Sequence, residues 1–176
     1  ALSGVTRLSQ SATRADVYLT ASVNTTIPRG SIVQSGLTAT DFSTTSDVIF
    51  NSIQTVGVGV NVVSLDVNNS YTLRYRASTD SSYISVQVAS TSTPSIEDIY
   101  TAFEASIQAT HPDLETFRDN GRLFVKPITN FQLFDFEVSN NMVISKVMKT
   151  VAVEATDAGP VEQAPDTITT IRTPIL

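Results

Sequence analysis

The 176-residue chain has no cysteine, and its 11 Lys and Arg stand against 17 Asp and Glu, a formal charge of -6 with charged residues at only 16%. Without thiols there is no disulfide framework, thiolate metal site or cysteine nucleophile, and so few cations exclude broad phosphate neutralisation, hence nucleic acid as a partner. Apolar runs fall far short of the ~20 residues that span a bilayer, so no membrane partner is expected, and a chain of this length buries roughly 70% of its unfolded surface without staples.

Thr, Ser, Val and Ile dominate, and β-branched side chains of this kind favour strands. Residues 1–13, ALSGVTRLSQSAT, show no period and read as an entering arm. ADVYLTASV then sets Val17, Leu19, Ala21 and Val23 against Asp16, Tyr18, Thr20 and Ser22, which is a half-buried strand. In NTTIPRGSIV, Pro28 and Gly30 frame a turn between Ile27 and Ile32-Val33. DFSTTSDVIF reads as one short strand ending at Ile49 and Phe50. VGVGVNVVSLDV reads as another, with Gly57 and Gly59 marking bulges or close backbone approach.

From residue 70 the texture changes. YTLRYRA alternates Tyr71, Leu73, Tyr75 and Ala77 against Thr72, Arg74 and Arg76; SYISVQVA alternates Ile84, Val86 and Val88 against Tyr83, Ser85 and Gln87; the polar link between them predicts a hairpin. In TPSIEDIYTAFEASIQAT, Ile96, Ile99, Tyr100, Phe103 and Ile107 recur at helical spacing. Pro94 suits a first turn, Thr93 or Ser95 can cap, and Glu97 and Asp98 favour the positive end of the dipole, which together predict a helix over 94–109. ATHPDLETF after it reads as an exposed loop. Strands are predicted at Leu123–Lys126 after an Asn120-Gly121 turn, at 131–138 and at 141–155.

Little in the chain points to chemistry. His111, the single histidine, has Asp113 and Glu115 as orienting carboxylates in reach, yet His-Pro-Asp in a loop reads more simply as a solvated turn or helix C-cap. Asp135 and Glu137 share one strand face, as paired acids for glycoside hydrolysis or cation binding do. The simpler reading puts Phe134 and Phe136 inward and both acids in water. Arg74 and Arg76 face either a partner's acids or, internally, the strand carrying Asp135 and Glu137. No phosphate loop, nucleophile elbow or zinc-ligand spacing occurs, so neither catalysis nor a cofactor or metal is expected.

Two separated stretches resemble one known family. ADVYLTASVNTTIPRGSIVQSGLTATDFSTTSDVIF (15–50) is similar to the opening of the baseplate J-like, or baseplate wedge, family of contractile-tailed bacteriophages. The likeness lies in the turn Ile27-Pro28-Arg29-Gly30-Ser31, with Arg29 where Ala is usual, and in Phe42-Ser43-Thr44-Thr45-Ser46-Asp47-Val48-Ile49. VAVEATDAGPVEQAPDTITTIRTPI resembles a later segment of the same proteins through Glu154, Ala155, Thr156, Gly159, Pro160, Pro165, Thr167, Ile171, Thr173 and Pro174. The resemblance implies a structural subunit of the tail baseplate in the virion, or of a related contractile injection machine, which contacts other wedge proteins and copies of itself without catalysis. The rival is a carbohydrate-binding or adhesin-type β module for host contact, against which stand the absence of Trp and the few free Tyr.

The expected fold is therefore α+β and predominantly β. A discontinuous sandwich-like β portion (14–66 plus 150–176) follows the arm (1–13) and carries an inserted strand-strand-helix-strand-strand unit (67–149). Interface positions expected from exposed apolar or unpaired-edge character are Leu2, Val5 and Leu8 in the arm, Arg29 in the turn, and Ile171, Ile175 and Leu176 at the end. Ala1 at the first position and the mid-pattern stop at Leu176 suggest a processed protein or a piece of a longer one.

Overall fold

The computed structural model describes residues 13–35, 41–156 and 168–171, with backbone alone for Ser35 and 168–171. In chain order the described elements are β1 (Arg14–Ser22), β2 (Thr25–Ile27), β3 (Ile32–Ser35), β4 (Asp41–Thr44), β5 (Val48–Phe50), β6 (Gly57–Val62), β7 (Ser70–Ala77) and β8 (Ile84–Ala89). They continue with α1 (Ile96–Thr110), β9 (Leu114–Asp119), β10 (Arg122–Pro127), β11 (Phe134–Val138), β12 (Met142–Ala155) and β13 (Ile168–Ile171). The protein is α+β and predominantly β, as its β-branched composition predicts, and its sheets are open.

Two compact units form. The first comprises Ala1–Val17, Thr26–Val48 and Val151–Leu176; the second comprises Tyr18–Thr25 and Ile49–Thr150. In the first unit the strand order is β13, β3, β4 and the end of β12. The β4–β12 register pairs Val153 with Thr44, Glu154 with Ser43 and Ala155 with Phe42, and β13 pairs with β3 through Ile171 opposite Val33. Val33, Phe42, Val151, Val153 and Ala155 are buried there, one residue in two along each strand, which is why these short segments hold as half-buried strands.

The second unit holds one sheet ordered β12, β6, β10, β9 and a three-stranded sheet ordered β11, β7, β8. Its core gathers Val58 and Val60 from β6, Tyr71, Leu73 and Tyr75 from β7, Val86 and Val88 from β8, and Leu123 and Val125 from β10. The α1 stripe Ile99, Tyr100, Phe103 and Ile107 packs among them. On the other face of β6, a side chain at Gly59 would lie 2.8 Å from the Phe124 ring, so only glycine lets that ring cross the strand, the close approach expected of the Gly-x-Gly run.

The helix begins at Ile96, two residues later than expected. Ser95 is extended at φ -128 and caps it, its hydroxyl accepting from the Asp98 amide at 3.0 Å, so Pro94 stays outside the helix. At the other end the His111 amide donates to the Ile107 carbonyl, and Pro112 cannot continue the ladder.

Two further differences have local causes. The stretch 41–50 is two strands, because Thr45 turns its amide to the Ala152 carbonyl and the Asp47 carboxylate takes the Arg29 amide at 2.7 Å. Leu114–Asp119 is a strand rather than a loop, paired residue for residue with β10 from Pro127 opposite Leu114 to Arg122 opposite Asp119. The Asn120-Gly121 turn that fixes this register has both residues at positive φ, 48 and 74, the geometry Asn-Gly favours in a tight hairpin.

Candidate interaction surfaces

In the first unit the Ile-Pro-Arg-Gly-Ser turn is a closed hydrogen-bonded corner. The Pro28 carbonyl accepts both the Ser31 hydroxyl at 2.7 Å and the Thr44 hydroxyl at 2.8 Å, while the Ser31 amide donates to the Thr44 hydroxyl at 3.0 Å. Gly30, at φ 82, donates its amide to the Thr44 carbonyl at 2.8 Å. Thr44 and Ser31 are buried, so each of these bonds satisfies a group cut off from water. The corner thereby presents Arg29 outward on a fixed backbone, and its guanidinium takes part in none of the ion pairs among the described residues.

Beside Arg29 runs a groove of about 590 Å³ lined by Arg14, Asp16, Gly30, Thr44 and Glu154 among others. Arg14 and Glu154 pair across it at 3.3 Å. Both signs of charge line the walls, so the groove suits a polar protein surface better than a single anion.

In the second unit the paired acids part company. Asp135 and Arg76, and Glu137 and Arg74, stand directly opposite on β11 and β7, the internal cross-strand pairing anticipated from sequence. The expectation that both acids lie in water holds only for Glu137, which is exposed and meets Arg74 at 3.0 Å. Asp135 is buried, 2% exposed, because the segment before β6 folds over it: the Gln54 amide donates at 2.8 Å, the Ser78 hydroxyl at 2.7 Å and Arg76 at 3.0 Å. Burial alone would raise its pKa, but these three donors and the Arg76 charge outweigh it and hold the carboxyl below the usual value. Both guanidiniums also lie over the Tyr83 ring, at 4.9 and 4.6 Å from its centroid. Every oxygen of Asp135 is thus committed to holding the fold, and the pair is no acid/base couple.

Of the two readings open for His111, a solvated turn or a helix C-cap, it is the C-cap, with a partner the sequence did not reveal. The Tyr75 hydroxyl donates to Asp113 Oδ1 at 3.0 Å and lies 3.0 Å from His111 Nδ1. Burial, then the hydrogen bond and charge of Asp113, push the Tyr75 phenol well above its ordinary range, so it keeps its proton and is no general base. Glu115 turns away to Lys126 at 2.8 Å. Nothing but the inward alternation of YTLRYRA singled out Tyr75, and alternation places a ring without saying where its hydroxyl ends.

No family model, curated protein or solved structure matches the chain. Its sites therefore stand on their own geometry. Among the described residues no group of three or more acids and histidine is placed to hold a metal ion, and no helix is long and apolar enough to cross a membrane.

Of the expected interface positions, Arg29 is exposed on the corner, and Ile171 ends β13 opposite Val33. Leu2, Val5, Leu8, Ile175 and Leu176 lie outside the described residues. Exposed apolar side chains that sequence reading passed over cluster in two connecting segments of the second unit: Val63, Leu65 and Val67 between β6 and β7, and Ile128, Phe131 and Leu133 between β10 and β11. Phe131 packs on Tyr18 with ring centroids 5.3 Å apart. Such clusters on connecting segments suit burial against another protein. Tyr71, Tyr75 and Tyr100 are buried and Tyr83 lies beneath two arginines, so few phenol faces are left for stacking on sugars.

Proposed function

We propose that the chain is a structural subunit of the tail baseplate of a contractile-tailed phage, acting through protein contacts and not through catalysis. The observation that carries this reading is the meeting of the two stretches that resemble that family. They lie more than a hundred residues apart in sequence, yet they build one unit, with Phe42, Ser43 and Thr44 paired to Ala155, Glu154 and Val153 and with β13 paired to β3. The residues of the resembling turn, Pro28, Gly30 and Ser31, close the corner at Thr44. Residues matched only as turn formers thus share a structural task.

On this reading the partners are neighbouring wedge proteins and further copies of the chain, the location is the virion tail, and Arg29 and the β13 edge are contact points. The exposed apolar segments at 63–67 and 128–133 supply area for such contacts. Disrupting the coding sequence in the phage that carries it, and imaging the particles, tests the reading. Particles lacking a finished baseplate and restored by the intact chain in trans are expected; intact, infectious tails made without the chain would overturn it.

A further inference from the structure

Edges of sheets expose unpaired amides and carbonyls, and two outer strands of the second unit, β11 and β9, are guarded. The outer side of β11 is covered by the segment before β6, with Thr55 and Phe134 exchanging amide and carbonyl bonds and Phe136 donating to the Ser52 carbonyl. The outer strand β9 carries Glu115, Arg118 and Asp119 within six residues. By contrast β8, Ile84-Ser-Val-Gln-Val-Ala89, is the outer strand of its sheet and has no charge, no proline and no shift in its register with β7.

The register shows which backbone groups of β8 are free. Ser70 faces Ala89, and the next amide, Ser90, donates to the Asn69 carbonyl at 2.8 Å. Backbone groups alternate in an antiparallel ladder, so Val88 and Val86 bond inward to β7 while Ser85, Gln87 and Ala89 turn theirs outward. Ile84 is 49% exposed although it shares the face on which Val86 and Val88 are buried, so an apolar side chain also waits at this edge.

We infer that β8 pairs antiparallel with β8 of a second copy about a two-fold axis through Gln87. In that register Gln87 faces Gln87, Ser85 faces Ala89 and Val86 faces Val88, so the outward backbone groups meet as hydrogen-bonded pairs and no charge opposes another. The same operation on β9 about Phe117 sets Glu115 against Asp119, which is why the second copy belongs on β8. Ser85, Gln87 and Ala89 are exposed along β8. This deepens the self-association side of the baseplate reading, and a monomer that still assembled into tails would sink the pairing alone.

Sedimentation of the full chain against concentration tests it. A dimer is expected by about 100 μM, between the micromolar and millimolar affinities of weak pairs. Gln87→Lys and Gln87→Glu are each expected to be monomeric, with thermal unfolding lowered only by the loss of the exposed bond from the Gln87 amide to the Ser70 hydroxyl, and their equimolar mixture to dimerise, since across the axis residue 87 faces residue 87. The double variant Ser85→Lys/Ala89→Glu, which sets opposite charges face to face, keeps the dimer; Ser85→Lys/Ala89→Lys loses it. A monomeric wild-type chain at that concentration, a Gln87→Lys dimer as tight as wild type, or a charge-swapped mixture that stays monomeric would each overturn the pairing.

Discussion

Arg76 and Asp135 face each other across β7 and β11 with the ion pair closed at 3.0 Å and the carboxylate 3% exposed. A buried carboxylate left without its partner is costly, so Arg76→Ala and Asp135→Ala are each expected to lower stability by about 3 kcal/mol, read from urea denaturation. The exposed neighbour pair makes the control: Arg74→Ala is expected to cost no more than ~1 kcal/mol. The depressed carboxyl of Asp135 also sets a pH limb. Its contribution is fully present above the ordinary value of 3.8 and is lost as pH falls through the lower value it has in the fold, so stability should drop on acidification below about 4. Asp135→Asn should flatten that limb; an unchanged acid limb in Asp135→Asn would show that other carboxylates cause it.

Two glycines separate conformational strain from steric exclusion. Gly30 has φ 82 and open space around it, so Gly30→Ala costs only the left-handed backbone penalty, about 1 kcal/mol. Gly59 has no such φ, but an added methyl would meet the Phe124 ring at 2.8 Å and the Lys146 side chain at 3.1 Å, and overpacking of this kind costs roughly 1 to 3 kcal/mol. The clash predicts coupling: Phe124→Leu should recover part of the loss in Gly59→Ala and none in Gly30→Ala. A double-mutant cycle with no coupling at Gly59 would remove the steric account.

The hairpin, the helix and the Pro-Arg-Gly-Ser turn were legible because each has a period or punctuation of its own, such as the three-and-four spacing of Ile99, Phe103 and Ile107. β9 was not, because Leu114 is its single fully buried residue and charge at Glu115, Arg118 and Asp119 mutes the alternation. The Asn-Gly turn beyond it was the available signal, since a two-residue turn requires a strand on both sides. Asp135 misled for a different reason. Alternation does place it opposite Phe134 and Phe136, but the cover over that face comes from Gln54, 81 residues earlier, and no local pattern carries such a contact. The Tyr75–His111–Asp113 cluster was hidden in the same way.

The Tyr75 hydroxyl ties β7 to the loop after α1, and two measurements isolate it. Tyr75→Phe keeps the ring in the core and leaves two partners that reach water, so the expected loss is about 1 kcal/mol. A phenol raised above its ordinary value of 10.0 gives stability that is fully present below that value and is lost as pH rises toward the higher one. In an absorbance titration of the folded protein, Tyr75 should stay protonated as pH passes 10, and Tyr75→Phe should leave the early part of the curve unchanged. Loss of amplitude near pH 10 in that variant would place the ionising group at Tyr75 and refute its burial.

The corner at Arg29 separates stability from recognition. Thr44 is buried and its hydroxyl both donates to the Pro28 carbonyl and accepts from the Ser31 amide, so Thr44→Val, close in shape, strips two bonds at once. It should cost about 1 to 3 kcal/mol and loosen the turn. Arg29→Ala removes an exposed side chain that has no ion pair among the described residues, so its unfolding should stay within about 0.5 kcal/mol of wild type. If the corner is a contact point, Arg29→Ala should nevertheless fail to restore tail assembly in trans, or restore it weakly, while Arg29→Lys, which keeps the charge, should restore more. Full rescue by Arg29→Ala would remove this turn from the interface and leave the apolar segments at 63–67 and 128–133 as the surfaces to test, because apolar side chains are exposed there.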